Sequence, residues 1–437
     1  MHRTTRLVGL FGALALVAAA CSGSATPSPS VAPSVAASAA AAASAEASAA
    51  ASAEASAAPS AAASAAALTG TLTVWEAYGA SGTSEKDAFD KMVAAVMAAN
   101  PGLTVTVTDV PFANLFTNFE TQAGAGSGPD LYIAPNDNLP KEARAGLLKD
   151  VSDLIPTLTA APYNTSQVAI DASTVDGKLF EIPESMKAVE LFYNNTVIKT
   201  APASTDDWLA NAKQLGWVYG ANGGGAYYQW GLFGSFGGTI MDATTGKCTA
   251  DQGGGVAAAW KWLADMKKAG MHFYQNDNDA KADLLSGKIA GFIDGPWQSG
   301  DLSKALGAKL AVTAGPSGPG GAWAPLTAPD GFYINAGSAN GDLAVQFALQ
   351  MLQPANEQLF ANVGHLPANT TLQPTDPIAQ SFSALMPKGF ARPTLKQLDN
   401  YWGNFGNGIV AVIDKGTDPT KAVADACAAM NKANGIQ

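Results

Sequence analysis

The chain has 437 residues, 47% hydrophobic and 14% charged, and its 25 Lys and Arg against 36 Asp and Glu give a formal charge of −11. With no Lys/Arg cluster to interrupt that balance, nucleic acid is excluded as a partner and an anionic ligand is disfavoured. Three cysteines and three histidines stand far apart with no zinc-site spacing, so neither a metal nor a cofactor is expected.

In chain order, Met1 to Cys21 comes first: Arg3 and Arg6 precede an apolar run, LVGLFGALALVAAA, that ends in small residues before the cysteine. This is a secretion signal, and its about 14 apolar residues are too few to span a bilayer. A cysteine directly after Ala18-Ala19-Ala20 resembles the lipobox of bacterial lipoproteins, with Ala18 where such boxes usually carry Leu. The mature chain is then expected to begin at a lipidated Cys21; the alternative is an ordinary signal peptide with an incidental cysteine. Residues 22–67 are almost wholly Ala, Ser and Pro, too poor in aromatic and branched side chains to offset the entropy of ordering. They read as a disordered tether, spanning about 35 to 40 Å as a flexible coil.

From Leu68 the composition turns aromatic and branched, and roughly 370 residues exceed what one core usually supports, so two domains are expected. LTVW (72–75) reads as a strand and Ser84 as the cap of a helix carrying Phe89, Met92, Val93, Val96 and Met97, stopped by Asn100-Pro101-Gly102. LTVTVTDV (103–110) is the next strand, a helix through Leu115, Phe116 and Phe119 follows, and DLYIA (130–134) is a third strand. This alternation predicts a parallel sheet flanked by helices. Between that helix and strand, Gly124, Gly126 and Gly128 alternate as in a dinucleotide fingerprint, but such a turn follows a strand and opens a helix. Gly223 to Gly225 lack the ending of a phosphate loop, so nucleotide binding is not supported.

Further on, VAAAWKWLADMKKAG and AKADLLSG read as helices stopped by Gly270 and Gly287, and KIAGFIDGPW as a strand ending in a turn. Asp277 and Asp279 lack the rest of a calcium loop and are read as helix caps. A strand GFYINA, helices through 343–352 and 357–363, and two final helices beyond Pro393 and Pro419 complete the chain. In an exported protein Cys248 and Cys427 are expected to pair, the alternative being two separately buried thiols. Of nine tryptophans and ten tyrosines, several sit at turns: Tyr78, Tyr227, Tyr228, Trp230 and Trp297, with Trp402 near a helix. The C–H face of a sugar ring packs on an aromatic ring while its hydroxyls need groups that donate and accept. Trp208, Trp217, Trp260 and Trp262 are instead expected to pack the core.

The segments LTVW, SGPDLYIAPNDNL followed by ARAGLL, DGKLFEIPESMKAVELFYNN, YYQWGLFGSFGG, LLSGKIAGFIDGPW and VGHLPAN, in this order, resemble the extracellular solute-binding proteins of ABC importers, of the maltose/maltodextrin-binding type. The resemblance implies an α/β, two-lobed periplasmic-binding-protein-like fold with a ligand cleft between lobes. Lobe one would comprise 68–185 plus 330–372 and lobe two 186–329 plus 373–437, with crossings near 183–188, 325–331 and 366–374. Carried over residue by residue, the cleft would hold Tyr78, Asp137 and Asn138 from lobe one, Lys187 at the first crossing, and Tyr227, Trp230, Trp297 and Trp402 from lobe two. Lys187 and Gly225 stand where the maltose receptor has acids, and Asn138 where it has arginine, which points away from maltose itself but not from a neutral sugar.

The function implied is a monomeric, non-enzymatic receptor on the outer face of the cytoplasmic membrane, lipid-anchored through Cys21, that captures a sugar, maltose or a malto-oligosaccharide, and passes it to a membrane permease. The alternatives are a receptor for another sugar, a polyol or a peptide, and a surface glycoside hydrolase using acids such as Asp137, Glu184 and Glu190.

Overall fold

A computed structural model describes residues 67–79, 83–220 and 224–437; the signal segment, Cys21, nearly all of the tether and Gly223 lie outside the described residues. Strand β1 (Thr69–Glu76), helix α1 (Ser84–Ala99), β2 (Gly102–Asp109), α2 (Phe112–Gly124) and β3 (Leu131–Pro135) follow in order. The apolar positions of α1, Phe89, Met92, Val93 and Val96, are buried as their spacing requires. The cap is one residue earlier than expected: the Thr83 side chain accepts from the Lys86 amide, and Ser84 is the first helical residue. Asn100 ends the helix by donating to the Val96 carbonyl and accepting from the Leu68 amide, both at 2.8 Å.

β1 pairs in parallel with both β2 and β3. On β3, Leu131 and Ile133 enter one apolar cluster while Tyr132 and Ala134 enter another on the opposite face. Both faces are thus covered, which is why DLYIA reads as a continuous apolar run. The sheet is not all parallel, however. Strands β4 (Ile182–Lys187) and β10 (Leu326–Ile334) complete its middle, with β10 antiparallel to both β3 and β4. β10 arrives from the other half of the molecule, so no crossover helix dictates its direction.

A second, five-stranded sheet contains β5 (Glu190–Asn194), β6 (Leu215–Val218), β7 (His272–Tyr274), β8 (Gly291–Asp294) and β9 (Leu310–Thr313), in the order β9-β5-β8-β6-β7. Around it lie α3 (Gly224–Ser235), α4 (Gly255–Lys268), α5 (Asp277–Ser286) and α6 (Ser299–Leu306). Trp208, Trp217 and Trp260 are fully buried in its core, and half-buried Trp262 packs edge-on against Trp217 at 6.3 Å. The cap of α5 is Asn276, which accepts from the Asp279 amide; Asp277 and Asp279 occupy the first turn and are not the cap themselves.

The chain leaves the first sheet for the second between β4 and β5 through buried Ala188 and Val189, and returns along β10. Helices α7 (Gly341–Met351) and α8 (Pro354–Ala361) then pack on the first core, followed by the short β11 (Leu366–Pro367) on β4. The chain departs once more for α9 (Pro377–Leu385), whose Ile378 and Phe382 belong to the second core. A two-residue strand β12 (Phe390–Ala391) returns to β10, and α10 (Asp399–Lys415) and α11 (Pro419–Ala433) close the second half. Both β4 and β10 run across the expected lobe boundaries rather than ending at them. Cys248 and Cys427 are bonded, their Cα atoms 5.5 Å apart.

Four buried glutamates distributed over these cores share one electrostatic state. Burial pushes Glu142, Glu181, Glu190 and Glu357 each up to about 8, against hydrogen bonds that pull the other way. An unfolded chain releases these protons near 4.5, whereas the native state keeps them until about pH 8, so their contribution to stability is complete below 4.5 and lost as pH rises to 8. Carboxyls held low, such as Asp150 at about 2, titrate outside that window. The unfolding midpoint is therefore expected to be higher at pH 5.5 than at pH 8, by on the order of 5 °C. Thermal melts showing the opposite slope would refute this, and Glu181→Gln should reduce it by about a quarter.

Candidate functional site

β3 ends in a turn, Asn136 to Asn138, and β12 lies parallel on β10 so that the Arg392 amide reaches the Thr327 carbonyl at 3.0 Å. This brings the buried Arg392 guanidinium onto that turn. Nη1 donates to Asn136 Oδ1 at 3.2 Å and pairs with the Asp137 carboxylate, while Nη2 donates to the Asp137 carbonyl at 3.3 Å. The guanidinium also stacks 4.3 Å over the Trp402 ring. Burial alone would raise the Asp137 carboxyl, but the Arg392 and Lys187 charges outweigh it and hold the group below its ordinary range.

A second cation sits at the end of β4. Buried Lys187 places Nζ 2.5 Å from Asp330 Oδ1 and 5.8 Å from the centre of the Trp297 ring. Trp297 lies 6.4 Å from Tyr227, whose hydroxyl is buried without a hydrogen-bond partner among the described residues, as is Trp402 Nε1. Burial first, then the charges of Asp137 and Asp330, push the Tyr227 phenol well up. The two cation–aromatic stations therefore share one electrostatic environment.

Of the residues expected in the cleft, Asp137, Lys187, Tyr227, Trp297 and Trp402 come together in this way. Tyr227 does so from helix α3 rather than from a turn, and Trp402 from helix α10. Tyr78 packs among Phe89, Phe360 and His365 at 5.4 to 6.0 Å, within reach of the charge on Asp330. Asn138 turns away, donating to Glu120 Oε1 at 2.8 Å. Trp230 is buried against Tyr401 and Phe390 at 5.1 and 5.8 Å, so it braces β12 from behind. Gly225 has no room for the acid it replaces, since a Cβ there would meet the Tyr219 carbonyl oxygen at 2.5 Å.

Arg392 and Asp330 were missed by sequence reasoning. Their only signal was a lone charge inside apolar context, FARP and TAPDGF. Of the acids named for a hydrolase, Asp137 pairs with Arg392 inside the cluster, Glu184 lies 2.7 Å from His365 Nδ1, and Glu190 accepts from the Gly315 amide at 3.2 Å. Two surface cavities, one against α4 and α11 and one at the start of β1, share none of the clustered residues.

Residues 91–386 match the family model of bacterial extracellular solute-binding proteins. The galactooligosaccharide-binding protein of Bacillus subtilis (strain 168) is 25% identical over 81% of this chain and 87% of its own length. The maltodextrin-binding protein MdxE of the same organism is 25% identical over 69% of this chain and 73% of its own. In three dimensions, the maltotriose binding protein of Thermus thermophilus, solved with maltotriose, superposes with a TM-score of 0.75 at 27% identity, over 83% of this chain and all of that one. The two-lobed fold of the chain is accordingly that of the maltose-binding proteins.

Proposed function

Because the chain belongs to the family of bacterial extracellular solute-binding proteins, we propose that it is a receptor that captures a malto-oligosaccharide between its lobes and delivers it to an ABC-transporter permease. The family consists of binding proteins, and no catalytic step is assigned to this one. One observation carries the reading: aromatic faces at Trp297, Trp402 and Tyr227 stand beside ion-paired donors and acceptors, with Tyr227 Oη and Trp402 Nε1 buried and unpartnered among the described residues. Buried polar groups without partners are costly, and a polyhydroxylated neutral ring supplies what they lack while its C–H faces pack on the indoles.

Asp137 and Asp330 accept from sugar hydroxyls in this scheme, and their pairing with Arg392 and Lys187 keeps the site near neutral. Ligand touching both lobes favours the closed arrangement by its differential affinity. Lipidation at Cys21 would keep the receptor near its permease, with residues 22–67 setting its reach. The test is thermal shift with a panel of maltodextrins, galacto-oligosaccharides, polyols and peptides. Maltotriose at about a hundred times its dissociation constant should add about 2.7 kcal/mol. Trp297→Ala and Trp402→Ala should each weaken maltotriose about tenfold with little change in the unliganded midpoint. No stabilisation by any maltodextrin would remove the substrate, and appearance of shorter sugars on incubation would replace the receptor by a hydrolase.

A further inference from the structure

Away from the cation–aromatic stations, helix α6 also joins the two cores directly. Helix α6 belongs to the second core through Leu302, and α1 to the first through Phe89 and Met92. Asp301 on α6 reaches the first turn of α1: its Oδ1 accepts from the Ser84 amide at 3.0 Å and from Ser84 Oγ at 2.7 Å, while Oδ2 accepts from Lys281 Nζ at 3.0 Å. A carboxylate at this position is favoured by the amides and dipole of the α1 N-terminus.

The approach beside it is backbone to backbone. The Gly300 amide donates to the Val363 carbonyl at 3.0 Å, and a Cβ on Gly300 would stand 2.7 Å from Ser84 Cβ and 2.8 Å from that carbonyl oxygen. A Cβ on Gly364 would meet the Pro296 carbonyl oxygen at 2.3 Å. The two surfaces that receive α6 are themselves tied together, because Glu85 Oε1 lies 2.9 Å from His365 Nε2. The turn leading into α6, Pro296–Gln298, carries Trp297. Seating α6 on α1 therefore also sets the Trp297 ring near Lys187.

We propose that Asp301 is a positioning residue, the catch of an interlobe latch that holds the lobes together and fixes Trp297, so that sugar affinity depends on a contact the sugar never touches. This contact exists only when the two cores are together, so it weights the equilibrium toward the closed form and raises the binding-competent fraction. The inference rests on the sugar-receptor reading for its affinity arm and on geometry alone for its conformational arm.

The test measures maltotriose affinity by calorimetry, the unliganded radius of gyration by small-angle X-ray scattering, and the unliganded melting midpoint. Asp301→Ala should lower affinity about tenfold and expand the unliganded protein, with the midpoint nearly unchanged. Asp301→Asn keeps the Oδ1 acceptor and should recover most of both. Gly300→Val wedges the seam apart and should cost more, roughly thirtyfold. Wild-type affinity and compactness in both Asp301→Ala and Gly300→Val would overturn the latch. So would an affinity loss that follows a fall in midpoint with no change in compactness. If wild type binds no maltotriose yet both variants are expanded, the latch stands and the substrate reading fails.

Discussion

Replacing Cys248 and Cys427 together by serine is expected to lower the unfolding midpoint by about 10 °C, while leaving sugar affinity at the wild-type level. The two residues are 179 positions apart, and the bond closes that loop within one core, where both are buried. Chain entropy alone would credit a loop of this length with about 5 kcal/mol. The contacts around it remain in the variant: the backbone amide at position 248 donates to Asn431 Oδ1 at 2.8 Å, and Val423, Ala426 and Met430 still bury one face of α11. The effect is thus on the unfolded ensemble and on the half of the molecule built on the second sheet. None of the residues clustered in the candidate site adjoins the bond in sequence, which is why affinity should survive. Calorimetric melts with and without reductant check this; a midpoint indifferent to both treatments would show that the bond does not form in the protein.

What was legible beforehand followed from periodicity. The β1-α1-β2-α2-β3 unit shows an alternation of two- and three-to-four-residue spacings that local chemistry alone determines. The helix stop at Gly287 rests on a left-handed φ of 78° that glycine adopts freely. β10 was seen only from Gly331 onward, because Pro329 argues against a strand interior. The strand tolerates it beside an irregularity between Asp330 and Gly331, and that irregularity sits beside the carboxylate that meets Lys187. β12 has two residues and no period to read. Its consequence, Arg392 against Asp137, depends on pairing with a strand far earlier in the chain. In the sequence Tyr227 and Trp230 read alike as turn aromatics, yet on helix α3 one faces Trp297 and the other the core. The direction of a side chain on a helix is set by its partners, which a turn reading does not supply.

Arg392→Met should be the most damaging single change in the candidate site. Methionine fills a similar volume but withdraws the donors to Asn136 and Asp137 and the cation over Trp402. Removing one partner of a fully buried ion pair costs about 3–5 kcal/mol. The Asp137 side chain is 31% exposed and regains some hydration, so about 2–3 kcal/mol is expected here. Sugar affinity should fall about thirtyfold, because Asp137 loses its orientation and Trp402 its packing partner. Adding Asp137→Asn to Arg392→Met removes the stranded carboxylate and should restore most of the stability, but not the affinity, since the acceptor is then gone as well. A pH titration separates charge from packing. Arg392 helps hold the Asp137 carboxyl below its ordinary range, so wild-type affinity should stay level from pH 7 down to 5. In Arg392→Met the carboxyl loses that lowering charge and moves up, so affinity should be more sensitive to acid than in wild type. If the variant binds maltotriose as tightly as wild type at both pH values, Arg392 is a structural ion pair outside the ligand site, and the Trp402 station must be reassigned.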